Sequence, residues 1–189
     1  MKTYITTNSG KTIDYLNPDP KQITIEDIAH GLSQECRWGA QTKVFYSVAA
    51  HSIMVSMVCA ETSMLHALKG LLHDASEAFL RDLPTPLKEL PELAGYKIIE
   101  ARMMKAIGEA LDVDLIDLPP EIHAADRKIA LMEDAYLMNP PHVEENEFLN
   151  EDGTSKVKWA VLPPAACEDA FLKVYANLRE HLQPRIIIP

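Results

Sequence analysis

The 189 residues are 47 % hydrophobic and 24 % charged, enough apolar material for one domain with a sizeable core, and they exclude a disordered chain. A net charge of −10 with no basic stripe argues against a protein that reads a nucleic-acid polymer, though a small phosphate ligand still binds where a few cations or a metal converge. The start MKTYITTNSG lacks an apolar signal region, no run approaches the ~18 residues of a membrane helix, and three widely spaced cysteines without a CxxC argue against a disulfide framework or thiolate zinc site; together these predict a cytoplasmic protein with no membrane partner. Residues 3–16 carry two short β-prone runs around Asn8-Ser9-Gly10, which predicts a small hairpin, and NPDP (17–20) is a turn. Thr24 is placed to cap a helix over IEDIAHGLSQ, with Asp27 completing a weak capping box. CRWGAQT (36–42) reads as a loop.

Apolar residues at helical spacing predict helices from Val44 to about Ala60 and from about Met64 to Leu80. The three prolines of RDLPTPLKELPEL (81–93) restrict that segment to turns and short helical pieces. Further helices are expected over 95–111, 121–138 and about 165–182. Between the last two lies a polar segment, 139–164, with an Asp152-Gly153 turn and room for a second small hairpin. The sum is one all-α domain over 1–189, with five to seven helices and an N-terminal hairpin.

LLHDASEAFL (71–80) sets ionisable residues into an apolar run. On a continuous helix Glu77 stands one turn beyond His73 and Asp74, over the same surface patch. Burying these groups is costly unless a metal, a salt bridge or solvent compensates. His and Asp are N and O ligands of the kind divalent metals accept. The chain also offers His51 and Asp126. Taken alone, each residue has an ordinary alternative: a hydrogen-bonded helix histidine, a solvated Asp126 beside Arg127 and Lys128, a solvent-facing Glu77. His30, His66, His123, His142 and His181 are assigned no function.

The order H…HD…D, with 21 residues between His51 and His73 and 51 between Asp74 and Asp126, resembles the HD-domain phosphohydrolases. HDASEAFLRDLPTPLK is similar to a segment of bacterial 5′-deoxynucleotidases of the YfbR type, and CRW to their Arg-Trp pair. IEDIAHGLSQECRWGAQTKVFYSVAAHS resembles HD proteins of phages and prophages, among them the dATP triphosphohydrolases of the DatZ type. The likeness runs from about residue 3 to 138. It implies an HD helical bundle in which His51, His73, Asp74 and Asp126 hold one divalent ion (Co²⁺, Mn²⁺, Mg²⁺, Zn²⁺ or Fe²⁺). Two-metal members of the superfamily carry extra histidines before the last Asp, and here residues 75–122 contain none.

The same resemblance makes Glu77 the proton-handling residue and gives Arg37, Trp38 and Asp82 to the nucleotide. Physically, a guanidinium fork suits phosphate. An indole offers a flat wall to a sugar or base. A carboxylate accepts from a sugar hydroxyl. A surface Arg37, a core Trp38 and a turn-capping Asp82 are the alternatives. Which of Lys43, Arg81, Lys88, Arg102, Lys105, Arg127 and Lys128 face inward is not set by the sequence. The expected activity is hydrolysis of deoxynucleoside 5′-phosphates, releasing phosphate from a monophosphate or triphosphate from a dNTP. The alternative is a nucleotide-sensing HD module without turnover; a third is a structural helical partner protein. The family also implies a homo-oligomer, dimer or hexamer.

Overall fold

The computed structural model of the chain describes residues 2–139, 141, 147–156 and 161–182. His142, much of the polar segment 139–164 and the apolar tail RIIIP lie outside the described residues. The protein is mainly helical, with a small antiparallel sheet at its start. Strands β1 (Tyr4–Thr6) and β2 (Thr12–Asp14) pair with Ile5 opposite Ile13, and Gly10 takes the positive φ of 83° that their turn requires. Ile13 is fully buried, so the hairpin is sewn into the core.

Helix α1 (Ile25–Gln34) starts where the Thr24 hydroxyl accepts from the Asp27 amide. The expected capping box is only half made. Asp27 turns its carboxylate to the hairpin, accepting from the Ser9 amide (2.9 Å), the Ser9 hydroxyl (2.6 Å) and the Thr7 hydroxyl (2.9 Å). A buried carboxylate is better satisfied by these donors than by one backbone amide.

Helix α2 (Val48–Cys59) begins later than the apolar spacing predicts. Ser47 bridges Cys36 in antiparallel fashion and the Lys43 amide donates to the Leu137 carbonyl, so residues 44–47 stay out of the helix. Ser47 then caps the helix. Helix α2 is apolar on nearly every side, which suits only a buried helix. It packs against α1, against α3 (Met64–Leu72), α7 (Pro120–Leu137) and α8 (Pro164–Leu182). His51 is thereby carried into the centre, at 0 % exposure.

The helix expected from Met64 to Leu80 is broken. Helix α3 ends at Leu72, residues 73–76 form turns, and α4 (Glu77–Leu80) follows. The His73 ring explains the break, because its Nδ1 donates to the Gly70 carbonyl at 2.8 Å. That carbonyl would otherwise continue the helix. The chain tightens into bonds three residues back, Ala75 to Leu72 and Glu77 to Asp74. The proline segment forms α5 (Thr85–Lys88) and a short 3₁₀ turn at Pro91–Leu93, then leads into α6 (Ala94–Leu111). Around the Asp152-Gly153 turn, Leu149 and Ser155 form an antiparallel bridge, with the Asn150 amide donating to the Thr154 carbonyl and the Lys156 amide to the Phe148 carbonyl.

The main core gathers Ile28, Leu32, Leu68, Leu71, Leu72, Met103, Ile107 and Phe171. A smaller cluster of Val55, Cys59, Ile122, Ala125 and Ile129 joins α2 to α7. No helix among the described residues is long and apolar enough to cross a membrane. Helices α1 and α4 touch through Gly31, where an added Cβ would lie 2.6 Å from the Ala78 carbonyl oxygen and 2.9 Å from its Cα. Backbone cannot yield as a side-chain tip can. Gly31→Ala is therefore expected to lower unfolding free energy by about 1–3 kcal/mol despite its better helix propensity, as a denaturant melt will show.

Candidate metal centre

Four side chains from three elements converge. His51 comes from the buried α2, His73 and Asp74 from the turn after α3, and Asp126 from α7. His51 Nε2 lies 3.3 Å from His73 Nε2, 3.0 Å from Asp126 Oδ1 and 3.7 Å from Asp74 Oδ2. His73 Nε2 lies 3.1 Å from Asp74 Oδ2 and 3.7 Å from Asp126 Oδ1. Ligand bonds of about 2.0–2.2 Å at angles of about 90–110° put neighbouring donors about 2.8–3.6 Å apart. Three of the five contacts fall in that range and the two at 3.7 Å lie just beyond it; His51, His73 and Asp74 bring their donor atoms close enough to hold one ion, while Asp126 stands beside the two histidines outside that tightest group.

Both imidazoles are oriented from behind. The Gly70 carbonyl can only accept, so His73 carries its proton on Nδ1. His51 Nδ1 lies 2.6 Å from Glu133 Oε1. Each Nε2 therefore faces the common point, where it donates a proton to a carboxylate or, once that proton is displaced, offers its lone pair to a metal, as when an outer acceptor sets the tautomer of a ligating histidine. Two lone pairs and two carboxylates aimed at one spot call for a positive charge there. The donor set thus fits a divalent ion.

The ionisation equilibria reflect the same crowding. Burial disfavours the charged His73 ring, but Asp74 and Asp126 outweigh it and raise its pKa well above the ordinary value. Burial pushes Asp74 up, yet His73, His51 and Arg37 hold it below the usual carboxylate range. Asp126 is likewise lowered against the effect of burial, through hydrogen bonds to His51 and His73.

Glu77 opens α4, past the turn rather than one turn along an unbroken helix. It is nearly buried and binds Lys88 Nζ through Oε1 at 2.9 Å. Its Oε2 is buried with no hydrogen-bond partner among the described residues. Burial raises its pKa well above the ordinary value, Asp74 and Asp82 add to this, and Lys88 opposes it. Asp82 is also raised, first by burial and then by Asp74, against Arg37 and Lys88. The Asp82 carboxylate makes no side-chain cap among the described residues; instead its backbone amide donates to Glu35 Oε1 at 3.3 Å.

Arg37, its side chain 12 % exposed, is held by two carboxylates, Nε to Glu133 Oε2 at 3.0 Å and Nη1 to Asp74 Oδ2 at 3.5 Å. Trp38 is half-buried, and its indole N–H donates to Glu133 Oε2 at 3.1 Å. Lys88 reaches inward, bridging Glu77 and Glu100. Arg81 pairs with Glu35 and Lys43 Nζ bonds the Tyr136 carbonyl. A cavity of about 330 Å³ opens beside the centre, lined by His73, Asp74, Ser76, Lys97, Glu100, His123 and Asp126 together with apolar residues of α6 and the 113–118 loop. Lys97 and Glu133 were missed from the sequence. Only the seven-residue step from Asp126, two turns along one face of α7, marks Glu133. Of the histidines given no role, His30 pairs with Glu168, His66 with Ser63 and His181 with the Asn177 carbonyl, while His123 lines the cavity.

No family model matches the chain. It is 38 % identical over 107 residues to the uncharacterized protein YfdR of Escherichia coli strain K12, covering 57 % of each chain. It is 41 % identical over 105 residues to the uncharacterized protein RCAP_rcc00048 of Rhodobacter capsulatus, covering 52 % of this chain and 53 % of that one. The chain thus spans about half the length of the curated relatives it matches.

Proposed function

We propose that the protein is a metal-dependent phosphohydrolase of the HD type acting on deoxynucleoside 5′-phosphates. The observation that carries this is the convergence of both Nε2 atoms and of carboxylates from Asp74 and Asp126 on one point, beside a cavity of small-molecule size. A divalent ion held by these four residues supplies Lewis-acid polarisation of a phosphate and a lowered pKa for water. Hydrolysis also needs a proton at the leaving oxygen. Glu77, with a raised pKa and a buried oxygen that has no hydrogen-bond partner among the described residues, is suited to carry that proton. Arg37 is suited to grip a phosphate oxygen, since Glu133 and Asp74 hold its guanidinium in place. Trp38 and Asp82 would line the sugar and base side.

The test is a panel of the four dNMPs and dNTPs with matching ribonucleotides, incubated with Co²⁺, Mn²⁺ or Mg²⁺ and resolved by chromatography. Turnover of at least one deoxynucleotide is expected, and the products distinguish release of phosphate from release of triphosphate. The bond from Lys88 that holds Glu77 favours a second reading, a nucleotide-binding module without turnover; saturable binding with no product over hours would support it. Chelation is expected to lower the melting temperature, since metal binding to the folded state stabilises it. An unchanged melting curve, with no stoichiometric metal in the purified protein, would remove the metal centre.

A further inference from the structure

We propose that Glu133 is a positioning residue that links the metal centre to the phosphate-binding arm through the two oxygens of one carboxylate. This rests on the metal-centre reading above. Glu133 has no solvent exposure. A carboxylate so placed is costly unless its lone pairs are filled. Its Oε1 takes His51 Nδ1 at 2.6 Å, and its Oε2 takes Arg37 Nε at 3.0 Å and the Trp38 indole N–H at 3.1 Å. The two oxygens therefore serve two sites. One sets the tautomer that turns the His51 Nε2 lone pair toward the centre. The other holds the guanidinium and indole.

The arm needs such a hold. Trp38, Gly39 and Ala40 all have positive φ, near 60°, in a left-handed turn. That conformation costs an L-residue roughly 1–2 kcal/mol, so a turn with two non-glycine residues in it persists only when tertiary bonds hold it. The bonds from Arg37 and Trp38 to Glu133 span 96 and 95 residues and supply them.

A carboxylate is required because both of its oxygens accept. Glutamine has the same shape but one acceptor oxygen. With that oxygen toward Arg37 and Trp38, the amide donates to His51 Nδ1, which moves the ring proton to Nε2 and blocks ligation. With the oxygen toward His51, the amide meets two N–H donors on the arm. Either orientation breaks one of the two functions, and exchange between them weakens both.

The experiment compares Glu133→Gln, Arg37→Ala and His73→Ala with the native chain, each checked for folding by its melting curve. Co²⁺ affinity is read from the visible spectrum of the bound ion, and inorganic phosphate affinity by calorimetry with Co²⁺ saturating. Glu133→Gln is expected to weaken Co²⁺ about 10–100-fold, as loss of an outer partner of a ligating histidine does, and to weaken phosphate about tenfold as well. Arg37→Ala should weaken phosphate alone, with Co²⁺ affinity within about threefold of native. A folded Glu133→Gln that moves neither constant overturns the link, provided His73→Ala has lost Co²⁺. A His73→Ala variant that keeps native Co²⁺ affinity instead overturns the metal centre itself. Should Glu133→Gln fail to fold, ¹⁵N NMR of the native chain loaded with Zn²⁺ decides: His51 protonated at Nδ1 and metal-bound at Nε2 supports the link, and the reverse refutes it.

Discussion

Asp74→Ala is expected to abolish both stoichiometric binding of a divalent metal and deoxynucleotide hydrolysis, with a loss of about 10³-fold or more in kcat/KM. Asp74 touches the centre from three directions, 3.1 Å from His73 Nε2, 3.7 Å from His51 Nε2 and 3.5 Å from Arg37 Nη1. Its removal takes away a ligand and one of two carboxylates that balance the cation. It also leaves Arg37 with Glu133 as its one remaining carboxylate among those described. His73→Ala should do the same through loss of Nε2. The decisive measurement pairs metal analysis of the purified variant with the nucleotide panel. Full activity in either variant would refute the ligand assignment. Because the two side chains lie at a turn rather than in the apolar core, a preserved fold is expected, and circular dichroism checks it.

Glu77→Gln is expected to lower kcat about 10²–10⁴-fold while leaving metal affinity near native. Glutamine keeps the shape and still accepts from Lys88, but it cannot carry an exchangeable proton. Among the described residues the Glu77 carboxylate makes no hydrogen bond to the side chains of the four ligands, and it accepts from Lys88, which Glu100 also holds. This separation is what makes the variant informative. A loss confined to kcat assigns proton transfer. A matching loss of metal would mean that Glu77 acts on the centre, and native kcat would return it to a structural ion pair with Lys88.

Much of the architecture was legible because it follows from local rules. Apolar spacing located the helices, with only end errors in most, and the prolines of 84–91 limited that segment to short pieces. Thr24 announced the start of α1, and Asn8-Ser9-Gly10 the hairpin. The late start of α2 was hidden because Val44 and Phe45 fit the apolar spacing, whereas the pairing of Cys36 with Ser47 keeps them out of the helix. The break at His73 was hidden for a similar reason. Periodicity records which faces are apolar, not whether a side-chain nitrogen has taken the carbonyl that the next turn needs.

By itself the sequence determined the mainly helical class, the entry hairpin and the residue types able to ligate a metal, since spacing, caps and turn residues act within a few positions of chain. Tertiary structure alone decided that His51 and Asp126 meet at 3.0 Å, that Glu77 turns to Lys88, and that a buried Glu133 joins His51 to Arg37 and Trp38. These partners lie from 11 to 96 residues apart. Nothing in the local chain records such a distance; it is set by how the buried α2 packs against α3 and α7, which brings their polar residues to one face of an otherwise apolar interior.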